Sequence, residues 1–218
     1  MREIYEFLQD LKANNNKEWF DCNRDAFKKT WQQFSHLTEY LVNEIRSFDP
    51  EVPFLDPKNC MFRIYRDVRF SNDKTPYKVN FGTFIAKGGR KAGNPGYYFH
   101  IQPDGCFVSG GIYMPQPDYL KAIRTEIYDH IDEFLDIIND PEFKNNFDFF
   151  DDDKLKTNPK GFPKEFEHID LLRYKSYAPF YSISERELFS YDILELIIEK
   201  FRLIYPLNRF LYEAIAKV

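Results

Sequence analysis

The 218-residue sequence has a net charge of −5, 30% charged residues and 18% aromatic residues. That supplies a large core, and the acidic balance excludes a general nucleic-acid coat protein. Cys22, Cys60 and Cys106 lack metal or redox spacing, no apolar run reaches membrane-spanning length, and the N-terminal stretch has no signal-peptide core. Free thiols, a soluble cytoplasmic protein and no membrane partner are the expectation.

Residues 4–12 read as an amphipathic helix with Ile4, Phe7, Leu8 and Leu11 on one stripe. Asn16 is a good N-cap for a second helix, or a broken pair, running to about residue 47. Glu18 in its first turn suits the helix dipole. Trp19, Phe20, Phe27, Trp31, Phe34, Leu41 and Ile45 recur at three- and four-residue steps, a pattern of core rather than of a cofactor box. Residues 49–58, with three prolines, read as a linker.

The period then switches to two. The stretch CMFRIYRDVRFSNDKTPYK, residues 60–78, is both the most strand-like and the most basic. Read as a strand, residues 62–70 put Phe62, Ile64, Val68 and Phe70 on one face, with Arg66 as the odd member. Arg63, Tyr65, Asp67 and Arg69 take the other face. Residues 71–74 form a turn cluster, and Thr75-Pro76 forces an extended conformation. The resulting hairpin brings Lys74, Tyr77 and Lys78 back towards the arginines. Further strands are predicted at residues 79–86, 97–102 and 106–113, with a glycine-rich basic loop at 87–96. Gly82 marks a bulge or a close approach. Turns this short imply antiparallel pairing.

A helix over residues 118–139 follows, then an acidic, aromatic covering loop at 141–160. Residues 161–181 are ambiguous between a short helix and another strand. Ser184 and Glu187 have capping-box spacing, and the final helix runs to about residue 216, kinked or split at Pro206. The expected fold is α+β. It is a single domain with a meander of at least four antiparallel strands, about residues 61–113, covered by N-terminal and C-terminal helices.

Residues 62–91 hold eight basic and two acidic residues, a local +6 that leaves −11 for the remainder. This localised positive surface points to an anionic ligand. The candidate ligand-binding residues are Arg63, Tyr65, Arg66, Arg69, Lys74, Tyr77, Lys78 and Tyr98. Arginine offers a bidentate fork to phosphate or carboxylate, and lysine a point charge. His100 shares a strand face with Tyr98 and Gln102 and is the candidate general acid or base. Two other readings stand beside this one. The basic, aromatic sheet is a non-catalytic module for nucleic acid or an acidic protein, or the arginines are structural and pair with the acidic residues 140–153.

Signatures for nucleotide phosphate loops, zinc sites and hydrolase elbows are absent. Residues 87–93 lack the lysine and helix that a phosphate loop needs, and read as a hairpin loop. Glu126, Asp129, His130 and Glu133 have helical spacing that can hold a metal, but a solvated helix face is the better reading, as it is for Asp151, Asp152 and Asp153. No metal site is predicted, and the cofactor is left open.

Asn14-Asn15 followed by Trp19-Phe20, the block FRIYRDVRFSNDKTPYK (62–78), PGYYFHIQPDG (95–105), GGIYMP (110–115) and HIDLLRYKSY (168–177) together resemble a bacterial family of conserved hypothetical proteins, a domain of unknown function. The resemblance spans nearly the whole chain. It implies one domain of mixed α and β structure and no established activity, and it carries over no catalytic residue.

Overall fold

The computed structural model describes residues 1–149 and 154–218. Helix α1 (Arg2–Ala13) forms on its apolar stripe and buries Ile4, Phe7, Leu8 and Leu11. Full burial of side chains of this size contributes about 1.5–3 kcal/mol each. The next helix is a broken pair, α2 (Lys17–Cys22) and α3 (Arg24–Arg46). Asn16 caps α2 by accepting from the Trp19 amide at 2.9 Å, while the Asn23 side chain donates back to the Trp19 carbonyl at 2.9 Å, where the two helices meet. The proline-rich stretch ends in the short helix α4 (Pro57–Cys60), capped by Asp56.

The sheet is β1 (Phe81–Ala86), β2 (Gly96–Ile101), β3 (Cys106–Gly111) and β4 (Phe180–Ile183), antiparallel throughout in that spatial order. The α+β fold with an antiparallel sheet is therefore as expected, but its fourth strand is not. Residues 62–70 form no strand. The segment is tied down only by single bridges, from the preceding Met61 to Thr83 of β1 and from Tyr65 to Tyr77 of its own return limb. The cause is local side-chain competition for the backbone. The Asp67 carboxylate accepts from the Arg69 amide at 3.3 Å, and Asp73 accepts from the Thr75 amide at 2.9 Å. Pro76 has no amide hydrogen to give a ladder. The fourth strand comes instead from residues 180–183, which begin at the end of the stretch whose period was ambiguous.

Between β3 and β4 lie α5 (Pro117–Asp129), α6 (Ile131–Asn139) and α7 (Pro141–Asn146), then a 3-10 turn at Ile169–Arg173. The predicted single helix over 118–139 is thus two, divided at His130, whose backbone leaves the helical region. Part of the predicted covering loop is helical as α7. The run Asp151 to Asp153 lies outside the described residues. After β4, α8 (Glu185–Leu188) carries the predicted capping box from Ser184 and Glu187. Helix α9 (Ile193–Ile215) continues through Pro206 as one element. No helix among the described residues is long and apolar enough to cross a membrane.

One face of the sheet, with Phe81, Ile85, Tyr97, Phe99 and Val108 buried, packs against α3 and α9. Buried Asn208 of α9 clamps the strand ends there. Its Oδ1 accepts from the Gly111 amide at 2.8 Å, and its Nδ2 donates to the Gly96 carbonyl at 3.1 Å. Gly96 and Gly111 are register partners, and Gly111 adopts a φ of 87° that favours glycine. The opposite face carries two cross-strand rows, Phe84–Tyr98–Ser109–Phe180 and Gly82–His100–Phe107–Ser182. Helices do not cover this second face in the same way, and the cavity described below opens on it.

A candidate anion-binding pocket on the open sheet face

The hairpin of residues 61–80 forms one wall of the cavity. The Asn15 side chain holds it in place by imitating a neighbouring strand. Its Oδ1 accepts from the Tyr77 amide at 3.1 Å, and its Nδ2 donates to the Tyr77 carbonyl at 2.9 Å. The buried Tyr77 ring stacks on Phe20 at 4.0 Å, 14° from parallel. Because side chains alternate, seating Tyr77 against the helices sends Lys78 to the other side, into the cavity. The Lys78 amide donates to the Ile64 carbonyl at 2.7 Å and the Phe62 amide to the Gly82 carbonyl at 2.9 Å, which fixes both cavity residues relative to β1.

The cavity holds about 550 Å³ between that hairpin, the 87–95 loop and the open sheet face. Phe62, Phe84, Tyr98 and Phe107 make its walls, with Asn80, Ser109 and Tyr113 also lining it. Phe62 stands edge-on to Tyr98 at 6.0 Å, and Phe107 stacks on His100 at 4.6 Å. Two cations sit on the Phe62 ring, Lys78 Nζ at 5.6 Å and the Arg90 guanidinium at 6.0 Å from its centroid. Arg90 is braced by donating to the Lys58 carbonyl at 2.7 Å. Lys78 has no carboxylate within ion-pair distance among the described residues. Partial burial, reinforced by Arg63, pulls its ammonium below the usual lysine range.

His100 is engaged on both ring nitrogens. Nε2 lies 3.3 Å from the Gln102 Oε1 and Nδ1 lies 2.8 Å from the Tyr98 hydroxyl. An amide oxygen only accepts, which assigns the proton to Nε2 and makes Tyr98 the donor to Nδ1. Burial, with Lys78 adding repulsion, pulls the imidazole down to about 4. It is therefore neutral near pH 7, and burial likewise raises the Tyr98 phenol. Gly82 supplies the room for this pair. A Cβ there would stand 2.5 Å from the Tyr98 hydroxyl, so the expected close approach is a side chain over the strand rather than a bulge.

The structure brings Lys78, Tyr98 and His100 of the predicted set together at the cavity. Tyr77 and Tyr65 lie on the helix side, Tyr65 half exposed and 6.1 Å from Phe20. Arg66 is turned inward within its own hairpin, bonded to Asp73 and Thr75. Arg69 makes a bidentate pair with Asp67 at 2.6 and 2.9 Å, and Lys74 donates to the Val68 carbonyl at 3.0 Å. Arg63 is exposed near Lys78. The residues missing from the prediction are Arg90, Phe84, Phe107 and Ser109, together with Phe62, which alternation alone assigned to a core face. Alternation within β2 and β3 placed each side chain on a face, but only the pairing register aligns Tyr98 with Ser109 and His100 with Phe107. The quartet at 126–133 assembles no metal site. His130 lies 3.6 Å from Glu126, which Lys217 also engages, and no cluster of three ligating groups occurs among the described residues.

Fold and cavity together define an α+β protein with an aromatic, cation-rimmed pocket on one face of an antiparallel sheet. The conserved hypothetical protein family DUF2461 matches residues 3–210, and the chain belongs to that family. No curated protein and no solved structure matches it.

Proposed function

We propose that this protein binds a small molecule bearing a phosphate or carboxylate, with the anion at Lys78 and Arg90 and the body of the ligand in the aromatic cavity. The observation that carries the reading is Lys78. It is a half-buried ammonium with no acidic partner among the described residues, on the rim of a cavity of ligand size. Leaving a cation desolvated and unpaired is unfavourable, and an anion relieves that cost. The geometry favours binding over turnover. Both His100 nitrogens are occupied, which suits a residue that orients Tyr98 better than one that shuttles protons. Arg66 and Arg69, engaged by Asp73 and Asp67, fit the structural reading of the arginines with partners in their own hairpin. That neutralisation also weakens the case for an open nucleic-acid track. Three free cysteines, two of them buried, support a cytoplasmic setting.

The test is calorimetric titration with phosphomonoesters and carboxylates against the parent, Lys78→Met and Arg90→Met. Methionine keeps most of the stem and removes the charge. Each variant should bind at least about tenfold more weakly, about 1.4 kcal/mol, while unfolding within about 1 kcal/mol of the parent. Equal binding by parent and Lys78→Met, or no binding of any anion by the parent, would overturn the reading.

A further inference from the structure

Which body accompanies the anion is set by the chemistry of the cavity wall. The lining is aromatic, and its aliphatic side chains are few, chiefly Ile112 and Ala178. A sugar phosphate would carry several hydroxyls into a space with few groups to bond them, which disfavours its burial. An acyl chain would find flat rings where it packs best on branched aliphatic side chains. A planar ring fits both tests, since it can stack on Phe107 and meet Phe62 edge-on. Two polar residues of the floor share a row, while the Tyr98 hydroxyl itself reaches across to the neighbouring row, over Gly82 and onto His100. The Tyr98 hydroxyl, having given its proton to His100, presents a lone pair. Across the strands from it, Ser109 is only 6% exposed, and its hydroxyl has no hydrogen-bond partner among the described residues. Ser109 lines the cavity, so its hydroxyl is open to a group on a bound molecule.

Resting on the anion-binding reading above, we infer that the ligand is a planar aromatic or heteroaromatic ring joined to one phosphate or carboxylate, with a hydrogen-bond donor on the ring edge that meets Ser109. Both aryl acids and nucleotides share this chemistry. The anion stays at the Lys78 and Arg90 rim, and the ring edge reaches the floor.

The experiment is a titration of the parent protein with inorganic phosphate, glucose 6-phosphate, hexyl phosphate, phenyl phosphate, 4-hydroxyphenyl phosphate and cytidine monophosphate. The two donor-bearing aromatics are 4-hydroxyphenyl phosphate and cytidine monophosphate. At least one of them should bind tenfold or more tightly than glucose 6-phosphate and hexyl phosphate, and which one does so separates an aryl acid from a nucleotide. Phenyl phosphate should fall between these groups. Ser109→Ala should remove most of the advantage of 4-hydroxyphenyl over phenyl phosphate while leaving phenyl phosphate itself unchanged. Phosphates that all bind alike, or a preference for hexyl or glucose phosphate, would overturn the aromatic assignment and leave the anion site standing. Binding by none of the six would overturn both.

Discussion

His100 is held neutral by its surroundings, and that has a measurable cost in acid. In the unfolded chain an imidazole titrates near 6.5, whereas burial brings the folded one down to about 4. Between those values the unfolded chain binds a proton that the native state refuses, so stability rises with pH. The contribution is fully present above about pH 6.5 and is lost as the pH falls towards 4, on the order of 3 kcal/mol in all. His100→Gln removes this linkage. Urea unfolding of parent and variant should therefore show their stability difference narrowing or inverting between pH 7 and pH 4. A difference constant across that range would mean that His100 titrates as it does in water. The sequence shows His100 on a strand face beside a tyrosine, but not that both ring nitrogens are engaged, by Tyr98 and by Gln102.

The elements of the fold were legible wherever one period dominated. The apolar stripes gave α1, α3 and α9, and the alternation of β1 to β3 with its short turns gave the meander. Residues 62–70 alternate as well as any strand, yet Asp67 and Asp73 fold their carboxylates onto the local backbone, and those bonds displace the ladder. β4 was ambiguous because it is only four residues long and pairs with a strand some 70 positions earlier in the chain. The clamp by Asn208 was not legible at all. A lone polar residue in an apolar helix stripe gives no sign of what it faces. Asn208→Ala should leave the Gly111 amide and the Gly96 carbonyl buried without partners, costing about 2–4 kcal/mol in urea unfolding. A loss below about 0.5 kcal/mol would show that the two strand ends satisfy each other without it.

Over the whole molecule, the charge asymmetry marks the segment that borders the cavity but does not tell its paired cations from its unpaired ones. Of the eight cations in residues 62–91, Arg66 and Arg69 are the two that Asp73 and Asp67 neutralise, while the 87–95 loop brings Arg90 to the cavity. The unpaired charge is what remains available to a ligand, and sequence counts cannot separate it. The cysteines report on the integrity of the same assembly. Cys22 is exposed, while Cys60 and Cys106 are buried and burial pushes the Cys60 thiol up to about 11. A thiol reagent at neutral pH should modify one cysteine rapidly in the native protein and all three after unfolding. Rapid modification of Cys60 would mean that the hairpin wall opens locally without global unfolding.

The order in which the chain is made adds a consequence of the α9 packing. Every strand of the sheet leaves the ribosome before the helix that covers its inner face. Until residues 193–215 emerge, Phe99, Val108 and Tyr97 have only the earlier helices to hide against, and α3 reaches chiefly β1. The growing chain thus passes through a stage in which a paired sheet shows a greasy flank to solvent, a form that invites sticking between nascent chains. The docking of α9 ends that stage, and through Asn208 the same event fastens the strand ends.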